Sequence, residues 1–87
     1  MVKLLADLGP GEGGEIVSLL GGRGVQFRLS ALGLREGQYI TKLSCLVWGG
    51  PVIILVNRAQ VAVGLGMARR ILVRVWKRGK VEKGSEK

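Results

Sequence analysis

The chain has 87 residues, 47% of them apolar, with a single cysteine, Cys45, and no histidine; this is the length of one small domain, and the composition excludes an internal disulfide and a zinc site built from the usual ligands. Fourteen lysines and arginines against six acidic residues give a net charge of +8, of which residues 69–87 hold +6 and residues 1–68 only +2, a bias that suits nucleic acid, anionic lipid or an acidic protein face. The longest apolar run, residues 45–56, is broken at Gly49, Gly50 and Pro51 and falls far short of the ~20 residues that cross a bilayer.

Residues 1–14 carry one lysine and scattered apolar residues, too few for a signal-peptide core, so a cytoplasmic protein is expected. "EIVSLL" at 15–20 reads as the first strand, bounded by glycines. In "VQFRLSAL" the apolar residues Val25, Leu29 and Leu32 fall on one helical face, while Val25, Phe27, Leu29 and Ala31 also alternate. Gly33 decides for the helix, since it sits where a left-handed C-terminal residue is wanted and Leu34 can fold back on the last turn. "LREGQ" at 34–38 is a turn, with Gly37 free to take positive φ. "YITKLSCLVW" at 39–48 is a long strand, Gly49-Gly50-Pro51 a turn and "VIILV" at 52–56 the return. Asn57-Arg58 offers a tight hairpin into "AQVAVG" at 59–64. "LGMARRI" at 65–71 supplies a helical turn, and "LVRVW" at 72–76 closes. The expectation is a mainly β fold: a five-stranded barrel with a short helix between its first and second strands and a helical turn before its last. Residues 1–76 form this domain, and 77–87 are read as a basic, disordered tail. Closing the sheet would remove its edges, and the apolar surplus points to a partner-covered patch or a homo-oligomer.

The glycines raise the question of phosphate binding. "GPGEGG" matches G-x-G-x-x-G through Gly9, Gly11 and Gly14 but precedes a strand instead of opening a helix. "GGRG" does lead into a helix, but one arginine and one short helix make no nucleotide site, and its glycines are read as bends. Catalysis finds no footing either. Asp7, Glu12, Glu15, Glu36, Glu82 and Glu86 show no paired spacing, the commonest general acid/base is missing, and Ser30 and Ser44 have no base in view. Cys45 among apolar neighbours is read as an inert core residue. The scattered carboxylates make no dedicated metal site, and no cofactor is expected. Trp76 beside Lys77 and Arg78 has the look of a stacking platform, but a strand-end core or rim role is the plainer reading.

A family resemblance rests on Leu5, Leu8, Gly11 and Ile16, then Arg28, Leu29, Leu32, Gly33, Leu34 and Gly37, then Gly49 and Pro51, and finally Met67, Ala68 and Ile71. Set together over residues 4–76, these resemble the FeoA family, the small ferrous iron transport protein A. The resemblance implies an SH3-like barrel and a role beside FeoB, the inner-membrane ferrous iron transporter with a cytosolic GTP-binding domain. The same fold ends iron-dependent repressors of the diphtheria-toxin-repressor type, behind a DNA-binding domain that this sequence lacks.

On that reading the chain is a non-enzymatic accessory of iron uptake that docks on FeoB, cytoplasmic and peripheral to the inner membrane through its partner. Arg23, Gln26, Arg28 and Arg35, which the helical pattern leaves off the Val25–Leu29–Leu32 face, are the candidate contacts. The basic C-terminus would rest on anionic lipid. The alternative is a small nucleic-acid-binding barrel using that C-terminus and Trp76, and a weaker third option is an iron-sensing module.

Overall fold

A computed structural model describes residues 1–45 and 50–76; the expected strand end at 46–48, Gly49 and the 77–87 segment lie outside them. Six strands form one antiparallel sheet: β1 (Val2–Leu4), β2 (Gly13–Leu19), β3 (Tyr39–Cys45), β4 (Val52–Val56), β5 (Ala59–Val63) and β6 (Ile71–Val75), in the order β1-β6-β2-β3-β4-β5. Helix α1 (Arg23–Ala31) follows β2, and the four-residue α2 (Leu65–Ala68) precedes β6. None of the described helices is long and apolar enough to cross a membrane.

Two details differ from the expected barrel. Val2–Leu4 is an extra strand, paired with β6 from Val2 opposite Arg74 to Leu4 opposite Leu72, and three residues are too few to show an alternation. The sheet also stays open, with β1 and β5 as its edges. It curls nonetheless, because the register shifts between Ile16 and Ser18 on β2 and between Lys42 and Ser44 on β3. Each irregularity puts an extra residue into one strand and sharpens its twist.

The curled sheet closes over a core that includes Leu5, Ile16, Leu29, Ile40, Ile54, Ile71 and Val73, all buried. Burying each such side chain contributes about 1.5–3 kcal/mol. Gly14 lets two strands approach closely: a Cβ there would collide with the carbonyl oxygen of Arg74 on β6. β2 therefore begins at Gly13, two residues ahead of the glycine-bounded "EIVSLL". Within "GPGEGG", Gly13 and Gly14 thus serve strand packing, while Gly11, at φ +87°, serves the turn before them.

At the end of α1 the chain does what Gly33 and Leu34 promised. Gly33 has φ +85°, its N–H donates to the Ser30 carbonyl at 2.8 Å, and the Leu34 N–H donates to the Leu29 carbonyl at 2.9 Å. This is the Schellman arrangement, with Leu34 buried beside Leu29. It also corrects the expected core face. Leu32 is the C-cap, 41% exposed, because the turn through Gly33 hands its core position to Leu34.

One buried charge has no counterpart among the sequence expectations. Lys42 is 6% exposed, and its Nζ donates to the Leu8 carbonyl and, at 3.4 Å, to that of Ala6. Its backbone accepts from the Gly11 N–H and donates to the Glu12 carbonyl, both at 2.8 Å. A single residue of β3 thus ties down the 3-10 turn at Leu5–Asp7 and the loop that follows.

Candidate docking surface

Helix α1 buries a narrow stripe: Leu29 is buried, Val25 is partly covered, and every other residue from Arg23 to Ala31 is exposed. Spacing by four puts Arg23, Phe27 and Ala31 on one outward face, with Arg28 alongside. Phe27 is 75% exposed, the aromatic ring standing where a solvated helix would carry a polar residue. Leu32 at the C-cap extends the apolar area. No acidic residue occurs between Glu15 and Glu36, and among the described residues none of the Arg23, Arg28 and Arg35 guanidinium groups enters an ion pair. The result is an aromatic centre among unneutralised cations, suited to an acidic surface with an apolar recess.

The four expected contacts divide. Arg23 and Arg28 are exposed on the helix, and Arg35 is exposed in the turn behind it. Gln26 is committed within the chain. Its Nε2 donates to the Leu19 carbonyl at 2.6 Å and approaches that of Gly21 at 3.4 Å, pinning the β2–α1 connection. Gln38 does similar work beyond the helix, accepting from the Arg35 N–H at 2.8 Å and donating to the Gly33 carbonyl at 2.9 Å. Phe27 was missed as a contact because only polar residues were taken from the helix surface outside the Val25–Leu29–Leu32 face. The helical assignment alone, which turns it away from Leu29, would have found it.

The other candidate chemistries resolve into structure. Glu12 folds back so that its Oε1 accepts from the Gly9 N–H at 2.7 Å and meets Lys3 Nζ at 3.4 Å. A side-chain carboxylate thus already occupies an amide that a phosphate-binding loop would offer. Glu15 faces Arg74 at 4.0 Å. Among the described residues no three acidic or cysteine side chains gather as metal ligands do. Cys45 ends β3, opposite Val52. Trp76 follows β6, its N–H donating to the Gly13 carbonyl at 3.2 Å. Its ring stacks on Tyr39 with centroids 5.6 Å apart and planes 15° from parallel. Tyr39 is 61% exposed, so the pair sits at the rim, each ring covering a face of the other.

Comparison with known proteins places this geometry. The family model of the FeoA domain matches residues 3–75. A crystal structure of an iron uptake regulatory protein, FeoA, is 38% identical, with 87% of this chain and 99% of that one covered and a TM-score of 0.79. A zinc-complexed FeoA from Stenotrophomonas maltophilia, described as a prokaryotic SH3 domain protein, is 22% identical over 85% of this chain and 89% of that one, with a TM-score of 0.67. A manganese-dependent transcriptional repressor is 16% identical with a TM-score of 0.79; 86% of this chain matches 42% of that longer one. The shared fold is SH3-like. No sequence among the curated proteins is a significant match.

Proposed function

Because the chain belongs to the FeoA family, related to accessory proteins of ferrous iron transport, we propose that it is a non-enzymatic, cytoplasmic docking module for the cytosolic GTP-binding part of a FeoB-type transporter. The observation that carries this reading is Phe27, 75% exposed on a helix with three arginines on and behind it that form no ion pair among the described residues. An exposed aromatic anchor ringed by arginines is the composition of a protein–protein hot spot. Arg23, Arg28 and Arg35 steer an acidic face toward it, and Gln26 holds the helix in place. The residues beyond Trp76, rich in lysine and arginine, rest on the anionic headgroups around the transporter, at about 1 kcal/mol per basic residue near the surface.

The test is a titration against the transporter's purified cytosolic domain, with and without a GTP analogue, at low and high salt. Binding is expected to saturate and to survive high salt, and Phe27→Ala is expected to weaken it roughly 30-fold, the scale of a hot-spot residue. Absence of binding at high protein concentration, or a Phe27→Ala variant that binds unchanged, refutes the docking role assigned to α1. Binding to nucleic acid that collapses steeply with salt would instead favour the second reading of the basic C-terminus.

A further inference from the structure

The uncharged edge of the sheet carries an inference independent of the docking helix. Both turn residues between β4 and β5 have positive φ, Asn57 at 52° and Arg58 at 67°, and Val56 faces Ala59 across them. In such a two-residue hairpin the flanking pair is hydrogen-bonded, and the pairs then alternate along the ladder. Ala59, Val61 and Val63 therefore turn their N–H and C=O groups toward β4, while Gln60 and Ala62 turn theirs outward. Among the described residues no backbone hydrogen bond reaches that outer edge. Edge strands are ordinarily protected by a lysine, a proline or a bulge. β5 reads Ala-Gln-Val-Ala-Val and pairs with β4 in unbroken register from Val52 opposite Val63 to Val56 opposite Ala59. Gln60 and Ala62 are both exposed.

We propose that this edge pairs with β5 of a second copy of the chain, antiparallel about a two-fold axis at Val61, to form one sheet across a dimer. In that register Gln60 lies opposite Ala62 of the second copy and Ala62 opposite its Gln60. These are the residues with outward backbone groups, so each pair exchanges two hydrogen bonds, four in all. The strand is complementary to itself, and this is what selects a second copy over an unrelated peptide. Charge allows it despite the chain's +8. Each Arg58 falls opposite Gly64 of the other copy, which separates the two guanidinium-bearing positions by about 20 Å along the strands, more than twice the Debye length of about 8 Å at physiological salt. On the outer face, Leu55, Gln60, Ala62 of the second copy and its Ile53 line up in one cross-strand row without a charge.

The experiment is sedimentation velocity on the full chain from low micromolar to millimolar concentration, alongside amide hydrogen exchange. The mass is expected to double with concentration. The Gln60 and Ala62 amides should gain protection in step, while that of Val61, bonded to β4, is protected throughout. Ala62→Pro removes an outward N–H in each copy without touching the β4 ladder, and is expected to raise the dimer Kd roughly 10- to 100-fold through the loss of two hydrogen bonds. Gln60→Lys keeps every backbone group but brings two like charges to within about 7–8 Å across the axis, and should also weaken the dimer if the proline variant fails to fold. A monomer at every concentration overturns the proposal. So does a dimer indifferent to both variants, and so do Gln60 and Ala62 amides that are fully protected at the lowest concentration.

Discussion

Lys42 shows how much one side chain can hold in a domain this small. Its ammonium donates to the Leu8 and Ala6 carbonyls, the first bond buried and the second partly so. Lys42→Met keeps the length and apolar stem of the side chain, so its effect isolates the polar contacts. The methionine gains from leaving no charge to desolvate, but the orphaned carbonyls each lose a partner, and an unsatisfied buried acceptor costs about 1–3 kcal/mol. The acceptors are expected to win, with a net loss of about 2 kcal/mol and a Tm lower by roughly 10 °C. Thermal unfolding of the two proteins checks this. Equal Tm values would mean that water reaches the carbonyls as soon as the ammonium leaves. Alternation within β3 places position 42 on the face of buried Ile40, but nothing in the residues around it signals this role, because the carbonyls that receive the ammonium lie 34 and 36 residues away in the chain.

At the scale of elements, what could be read depended on whether the signal was local. The α1 terminus was legible because Gly33 and Leu34 carry the capping motif within a few residues. The β4–β5 hairpin was legible because Asn57-Arg58 sits between two apolar runs. Leu32 was misplaced because a helical repeat continues on paper past the point where the cap bends the chain. The strand at Val2–Leu4 and the two register shifts depend on pairing with distant partners, which no window of sequence contains. Phe27 differs from these: once the segment is read as a helix, spacing by four groups it with Arg23 and Ala31, away from Leu29, so its exposure was legible locally. The hairpin also holds an improvable residue. Arg58 has φ 67°, a left-handed conformation that a side chain disfavours by roughly 1–2 kcal/mol. Arg58→Gly relieves that strain and matches the Asn-Gly preference of this turn, but it frees the unfolded chain by about 0.4–1 kcal/mol. A net gain of about 0.5–1 kcal/mol is expected, read as a rise of a few degrees in Tm. A lower Tm would show that the arginine makes a compensating contribution to the fold.

For the whole molecule, the distribution of charge separates the two functions the sequence allows. Residues 77–87 contribute five basic and two acidic residues, so their removal lowers the net charge from +8 to +5. The surface on α1 keeps Arg23, Phe27, Arg28 and Arg35. If docking runs through that surface, the truncated chain should bind the transporter's cytosolic domain within severalfold of the full-length affinity. The change should appear mainly in the association rate and its salt dependence, since peripheral charges steer encounter more than they hold the complex. A nucleic-acid binder behaves otherwise. Every phosphate that the shortened chain leaves unneutralised keeps its counterions, and the slope of log K against log salt falls by about 0.9 per phosphate on duplex DNA. Without residues 77–87 such binding should vanish at physiological salt. Measuring the full-length and truncated chains against both partners gives a crossed result. Truncation that spares transporter binding and abolishes nucleic-acid binding assigns the function to the SH3-like body, whereas truncation that abolishes transporter binding moves the interface off α1 and onto the basic C-terminus.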